Sequence, residues 1–273
     1  MTIIEAIKKV LREAKRPLNH KEIYQEIINN QYYSFGAKDP VAVVRGEIRK
    51  HCYGIDFPSA SPKKIFALSK INNKESLPRY EVWDGNIDKI ESIKIDEKET
   101  LPEEVIYKKY QEHLTIVKAQ LLDYIKSADP AFFEKLVVEL LLKMGYGWNG
   151  SSAGMVLGGA GDEGIDGIIS EDKLGLEKIY IQAKRYKDNN VQPSHIRDFI
   201  GAMSIKGARK GVFFTSSNFS DQAKKHAEQA QNMSVMLING QQLCDYLVQH
   251  EMGVAKSTIY TLYEIDKNFF DEE

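Results

Sequence analysis

"YIQAKRYK", residues 180–187, decides how the second half of the chain is read. Its composition is that of a strand, yet Gln182 and Lys184 stand two residues apart. Side chains alternate along a strand, so this amide and this ammonium share one face. The stretch "GAGDEGIDG", residues 159–167, lies just upstream and ends around Asp166, at the start of the next β-prone run, "DGIIS". Glycines there let the backbone turn tightly. A short hairpin through "EDKLGLEK" predicts two antiparallel strands that set Asp166 beside Gln182 and Lys184.

A carboxylate, an amide and an ammonium on one surface suit a divalent cation and a phosphodiester. Asp166 offers a hard oxygen, and the Gln182 side-chain carbonyl and the backbone carbonyl of Ala183 offer more. Such an ion polarises a phosphate and lowers the pKa of a bound water. Lys184 then orients that water or stabilises charge on the phosphoryl oxygens. The helix predicted from "DPAFFEKLVVELLLKMGY" carries a wide apolar stripe, with Asp129 as cap and Pro130 at its first position. Glu134 at the edge of that stripe adds a carboxylate to the ion or its water. Glu139 on the same helix is its rival, and spacing does not choose between them. Asp162 is a further candidate near the metal, or else a stabiliser of the glycine loop.

Each residue also has a plainer reading. An Asp beside Gly commonly caps a turn, and Gln182 or Lys184 alone reads as an ordinary strand face. The ordered set, with Glu134 on an apolar helix, favours the nuclease chemistry. "GAGDEG" also fits the dinucleotide pattern G-x-G-x-x-G. That pattern needs a strand before it and a helix after it. Here no apolar strand leads in and a strand follows, so a nucleotide cofactor is not expected.

Beyond "YIQAKRYK", helical and β-prone segments alternate to residue 250. The prediction is a mixed α/β sheet with helices on both faces over 129–250, followed by a tail at 251–273. Residues 71–128 read as a polar linker, with β-prone "RYEVW", and one long helix starting at Pro102. Residues 1–70 predict helices over 3–14, after Asn19 and after Asp39-Pro40, then a short strand in "KKIFALS". That is a winged helix-turn-helix, whose third helix enters a major groove. Val43, Val44 and Ile48 are expected to face inward, and Arg45, Arg49 and Lys50 outward toward DNA. The net charge of −2 hides an excess of +6 in residues 1–70, with −4 in each of 71–130 and 131–273. A basic segment suggests a polyanion, or simply a solvated helical surface.

Softer candidates for phosphate contact are Arg185 and Lys187 at the basic end of the strand, and Thr215, Ser216 and Ser217 ending "GVFFTSS". The six histidines show no metal spacing and read as surface residues. Two distant cysteines allow no disulfide framework, so a reducing, cytoplasmic setting is expected. The N-terminus is amphipathic rather than signal-like, and no apolar run spans a bilayer.

Two resemblances sharpen this. "AIKKVLREAKRPLNHKEIYQEI", the Phe-Gly-x-x-x-Pro of "SFGAKDP" and "KKIFALS" resemble the HARE-HTH family. That resemblance implies DNA binding, with sensitivity to modified bases, or a winged helix used for protein contacts. "FEKLVVELLLKMGY", "GAGDEGIDG", "IQAKRY" and "GVFFTSSNFSDQAKKHA" resemble the Mrr-like branch of the PD-(D/E)XK nucleases, in which Gln stands before x-Lys. It implies a Mg2+-dependent (Mn2+ as substitute) DNA endonuclease acting as a homodimer on double-stranded, often methylated DNA. It also favours Glu134, the Glu directly after the aromatic pair. The alternatives kept open are a nuclease for branched DNA and a catalytically silent DNA-binding regulator.

Overall fold

The computed structural model describes residues 1–69, 77–85, 100–147, 154–156, 164–172, 174–230, 232–266 and 269. It divides into two compact units, Met1–Leu114 and Thr115–Glu273.

In the first unit, α1 (Ile3–Ala14), α2 (His20–Asn29) and α3 (Pro40–Lys50) surround an apolar core. Each helix starts at a residue whose side chain accepts from a backbone N–H. Thr2 and Glu5 form a capping box for α1, Asn19 and Glu22 one for α2, and Asp39 accepts from Ala42 N at 3.0 Å ahead of Pro40. The core holds Ile7, Val10, Ile23, Ile27, Val44 and Ile48. A four-stranded sheet completes the winged helix. It comprises β1 (Leu18–Asn19), β2 (Cys52–Tyr53), β3 (Phe66–Leu68) and β4 (Arg79–Val82) in the order β1-β4-β3-β2.

Two expectations are corrected here. The polar stretch after residue 70 is not simply a linker: β4 lies between β1 and β3, and Tyr80 within it is fully buried. The unit then extends into the first half of α4 (Pro102–Ser127). Arg49, expected to face out, is buried at 1% exposure. Its guanidinium forms a two-pronged pair with Glu104, both N···O distances being 2.5 Å, and Nη1 donates to the Tyr80 hydroxyl at 3.3 Å. Arg45 and Lys50 are partly exposed, and Val43 is only partly buried.

The second unit contains the rest of α4, α5 (Pro130–Lys143), β5 (Gly154–Val156), β6 (Gly167–Ser170), β7 (Lys178–Lys184), α6 (Pro193–Ile205), β8 (Lys210–Thr215), α7 (Asp221–Glu228), β9 (Ser234–Ile238) and α8 (Gly240–Gln249). The sheet order is β5-β6-β7-β8-β9. The β5-β6 and β6-β7 pairs are antiparallel, and β7-β8 and β8-β9 are parallel. Alternation on β7 divides the core in two. Ile179, Ile181 and Ala183 pack in a cluster with α5 and α8 residues, whereas Tyr180 and Tyr186 pack against a second cluster built on α6 and α7. The mixed α/β fold thus has helices on both faces. A strand, β5, does precede the glycine loop, contrary to expectation. It pairs antiparallel with β6, so the loop belongs to a hairpin and the dinucleotide reading still fails. Asp162 and most of "GAGDEG" lie outside the described residues.

Candidate active site

The site forms where β6 begins and β7 ends. Asp166 precedes β6, and its N–H donates to the Ile181 carbonyl at 2.8 Å, extending the ladder. The Asp166 Oδ2 accepts from the Ala183 N–H at 2.7 Å and from the Gln182 side-chain amide. Gln182 and Ala183 are buried, whereas Asp166 and Lys184 are half-buried. The sheet therefore brings Asp166, Gln182 and Ala183 into direct contact. Gly164 has φ +85°, and a Cβ there would stand 3.3 Å from Gln182 Oε1. Both the left-handed backbone and the close amide call for glycine.

Glu134, in the first turn and a half of α5, lies within electrostatic range of Asp166 and Lys184. Its carboxyl is held above the ordinary value of 4.5, first by burial and then by the nearby Asp166 charge; Lys184 acts in the opposite direction. Glu139 is exposed and lies 3.6 Å from Lys135 in an ion pair, so Glu134 is the α5 carboxylate near Asp166.

Ser216 is corrected as a surface contact for DNA. It is fully buried and donates to the Tyr186 carbonyl at 2.7 Å. Thr215 is fully buried too: its hydroxyl donates to the Lys184 carbonyl at 2.8 Å and accepts from Ser217 N–H at 3.2 Å. These hydroxyls clamp the end of β7, which carries Lys184, to the end of β8. The run Thr-Ser-Ser after a buried strand was the available signal, but it equally suits a solvent-facing strand end. Arg185 is half-buried, and Nη1 donates to the Lys126 carbonyl at 2.6 Å in the last turn of α4, so this nitrogen is engaged by a helix end and not by a surface phosphate site. Lys187 is exposed. His20 is also corrected: it is buried, and burial, with the charges of Arg45 and Lys21 next, lowers its pKa to about 4.

Among the described residues, no three His, Cys, Asp or Glu side chains form a group that could hold a metal. The donors present still suit a hard cation. Burial and, after it, the like charge of Asp166 disfavour the ionised Glu134, and a cation between the two carboxylates would offset that cost. The remaining ligands would be the Gln182 amide oxygen and the Ala183 carbonyl. Ligation by Gln182 requires the amide to present Oε1 where its nitrogen now meets Asp166.

A half-buried pair of carboxylates, a buried amide and a lysine thus stand at adjoining strand ends of a mixed sheet, in a chain that also holds a winged helix. Residues 125–247 match the Mrr catalytic family, described as restriction endonuclease, and residues 1–65 match the HARE-HTH family, a helix-turn-helix domain shared by ASXL proteins and restriction endonucleases. The chain therefore carries a Mrr-type restriction-endonuclease domain and a HARE-HTH domain. It is 37% identical over 155 residues to the type IV methyl-directed restriction enzyme EcoKMrr of Escherichia coli K12. That match takes in 57% of this chain and 49% of the enzyme, so the chain spans about half the length of the curated relative it matches. No solved structure matches.

Proposed function

We propose that the protein is a metal-dependent DNA endonuclease that cuts double-stranded DNA carrying methylated bases, in the manner of a type IV restriction enzyme. The observation that carries this is the contact of Asp166 with Gln182 and Ala183 at the end of the strand that also presents Lys184. A bound Mg2+, with Mn2+ as a substitute, supplies a polarised phosphate and a more acidic water. Asp166 and Gln182, with the Ala183 carbonyl, would hold that ion. Glu134 orients a water through its carboxylate. Lys184 offsets the negative charge that grows on the phosphoryl oxygens. The clamp from Thr215 and Ser216 fixes the backbone on which Lys184 stands, so the ammonium needs little rearrangement during reaction.

In the first unit, Arg45 and Lys50 on α3 are the basic residues offered to the DNA, and Lys187 is exposed beyond the nuclease strand. Cutting both strands requires two active sites, hence a homodimer. The setting is cytoplasmic. Among the described residues no helix is long and apolar enough to cross a membrane.

The test is incubation of the intact chain and Lys184→Ala with methylated and unmethylated plasmid, in Mg2+ and in chelator. The expected result is Mg2+-dependent cutting of methylated plasmid that Lys184→Ala loses. Equal cutting of both plasmids removes the methylation assignment. DNA binding without cutting under every metal and DNA state replaces the nuclease with a silent binding protein.

A further inference from the structure

Two apolar features of the second unit are not used by the nuclease site. One is a groove of about 490 Å3, lined by Leu121 and Tyr124 of α4, Phe132 and Leu136 of α5, Leu247 of α8 and the adjoining Met252. Tyr124 and Phe132 on its rim are largely exposed. The other is the segment after Gly253. Ile259, Tyr260, Leu262, Tyr263 and Ile265 all stand in solvent, four of them at 76% exposure or more. An isolated soluble unit rarely leaves five large apolar side chains in a row of seven residues uncovered.

We propose that this segment of one copy fills the groove of a second copy, and reciprocally, so that two chains pair by exchanging their tails. The segment departs at the groove's edge. Gly253 lines the groove with φ +67°, where a Cβ would come within 3.0 Å of Leu121. Lys256 then turns back onto Glu251 in an ion pair of 2.5 Å. Beyond it the chain takes no helix or strand through Asp266 and leaves its own groove uncovered. The segment "TIYTLYEI" is rich in β-branched and aromatic residues, which favour an extended strip of alternating side chains. Along such a strip Ile259, Tyr263 and Ile265 share one face, and burying those three removes roughly 400 Å2 per segment. Two reciprocal copies, counted with the groove walls, exceed the ~1,000 Å2 that a specific interface needs. Reciprocal exchange closes on a two-fold axis and leaves no open end, as a homodimer requires.

The pairing is independent of the nuclease reading and is measured without DNA. Light scattering at micromolar concentration should give a dimer for the full chain. It should give monomers, or at least tenfold weaker dimers, for the chain ended at Gly253 and for Tyr124→Glu with Phe132→Glu. All of these residues are exposed, so circular dichroism and thermal midpoints should match the parent. Oxidising a Phe132→Cys copy mixed with a differently sized Tyr260→Cys copy should yield a linked heterodimer. A monomeric full chain, a dimer indifferent to loss of the tail, or a disulfide that forms only within one Phe132→Cys, Tyr260→Cys chain overturns the proposal.

Discussion

Replacing Glu104 by alanine strands a positive charge inside the first unit. Arg49 is 1% exposed and Glu104 12%, so the pair is shielded from water on both sides. Burial alone works against the guanidinium charge, and the hydrogen bonds that Arg49 donates to Glu104 more than restore it, leaving the Arg49 pKa raised. In Glu104→Ala, Arg49 keeps the Tyr80 hydroxyl at 3.3 Å and loses both short bonds to carboxylate. Removing one partner of a buried pair costs about 3–5 kcal/mol. The Leu101 N–H loses an acceptor at 3.2 Å as well, worth about 1 kcal/mol. The lower end of that range, about 3 kcal/mol, is the better figure because Glu104 retains some solvent contact. With the Leu101 bond the loss is about 4 kcal/mol, which for a unit of this size lowers the melting midpoint by roughly 15 °C. Urea unfolding and calorimetry of the full chain read this directly. The double replacement Arg49→Met, Glu104→Met should recover most of the loss, since an apolar pair leaves no charge behind. A loss below about 1 kcal/mol in Glu104→Ala refutes the reasoning, because the buried charge would then have found water.

Three further outcomes follow from named contacts. Glu134 has a raised pKa, so the stability linked to it is present below 4.5 and is lost as pH rises through the raised value. Glu134→Gln should therefore melt higher than the parent at neutral pH without metal and equally below about pH 4. Mg2+ should raise the parent's midpoint more than the variant's in the same thermal scan. Thr215→Val removes the donor to the Lys184 carbonyl. It should cost about 1–2 kcal/mol in urea unfolding and slow plasmid cutting more than it weakens DNA binding in a gel-shift titration. His20 titrates near 4 in the fold against 6.5 ordinarily, so the first unit should lose stability as pH falls from 6.5 toward 4. His20→Gln should flatten that part of the melting-versus-pH curve.

Local chemistry carried most of what the sequence revealed. Asp39-Pro40 and Asp129-Pro130 mark helix starts because cap and first-turn preferences act within three residues, and both helices begin there. Asp166, Gln182 and Ala183 were legible because one hairpin links them. Features with distant partners were not. Arg49 looks like Arg45 in a helical projection, and its partner Glu104 lies 55 residues on. The β-prone run "RYEVW" marks β4 itself, but its place between β1 and β3 rests on pairing with residues far off in the chain. Ser216 looks like a polar strand end until β8 is laid beside β7, when its hydroxyl meets the Tyr186 carbonyl.

The amide at 182 has a consequence for how the chain matures. Asp166 receives its Oδ2 hydrogen bonds from Gln182 and Ala183 within the chain itself. A glutamate at 182 would press a third negative charge onto Asp166 and Glu134, and assembly of β6 against β7 would then depend on a cation being present. With glutamine, the sheet closes on its own hydrogen bonds, and a cation at this site would have to win the amide away. On the proposed metal-dependent reading, newly made protein would fold even when divalent ions are scarce, and cation supply would then set its activity.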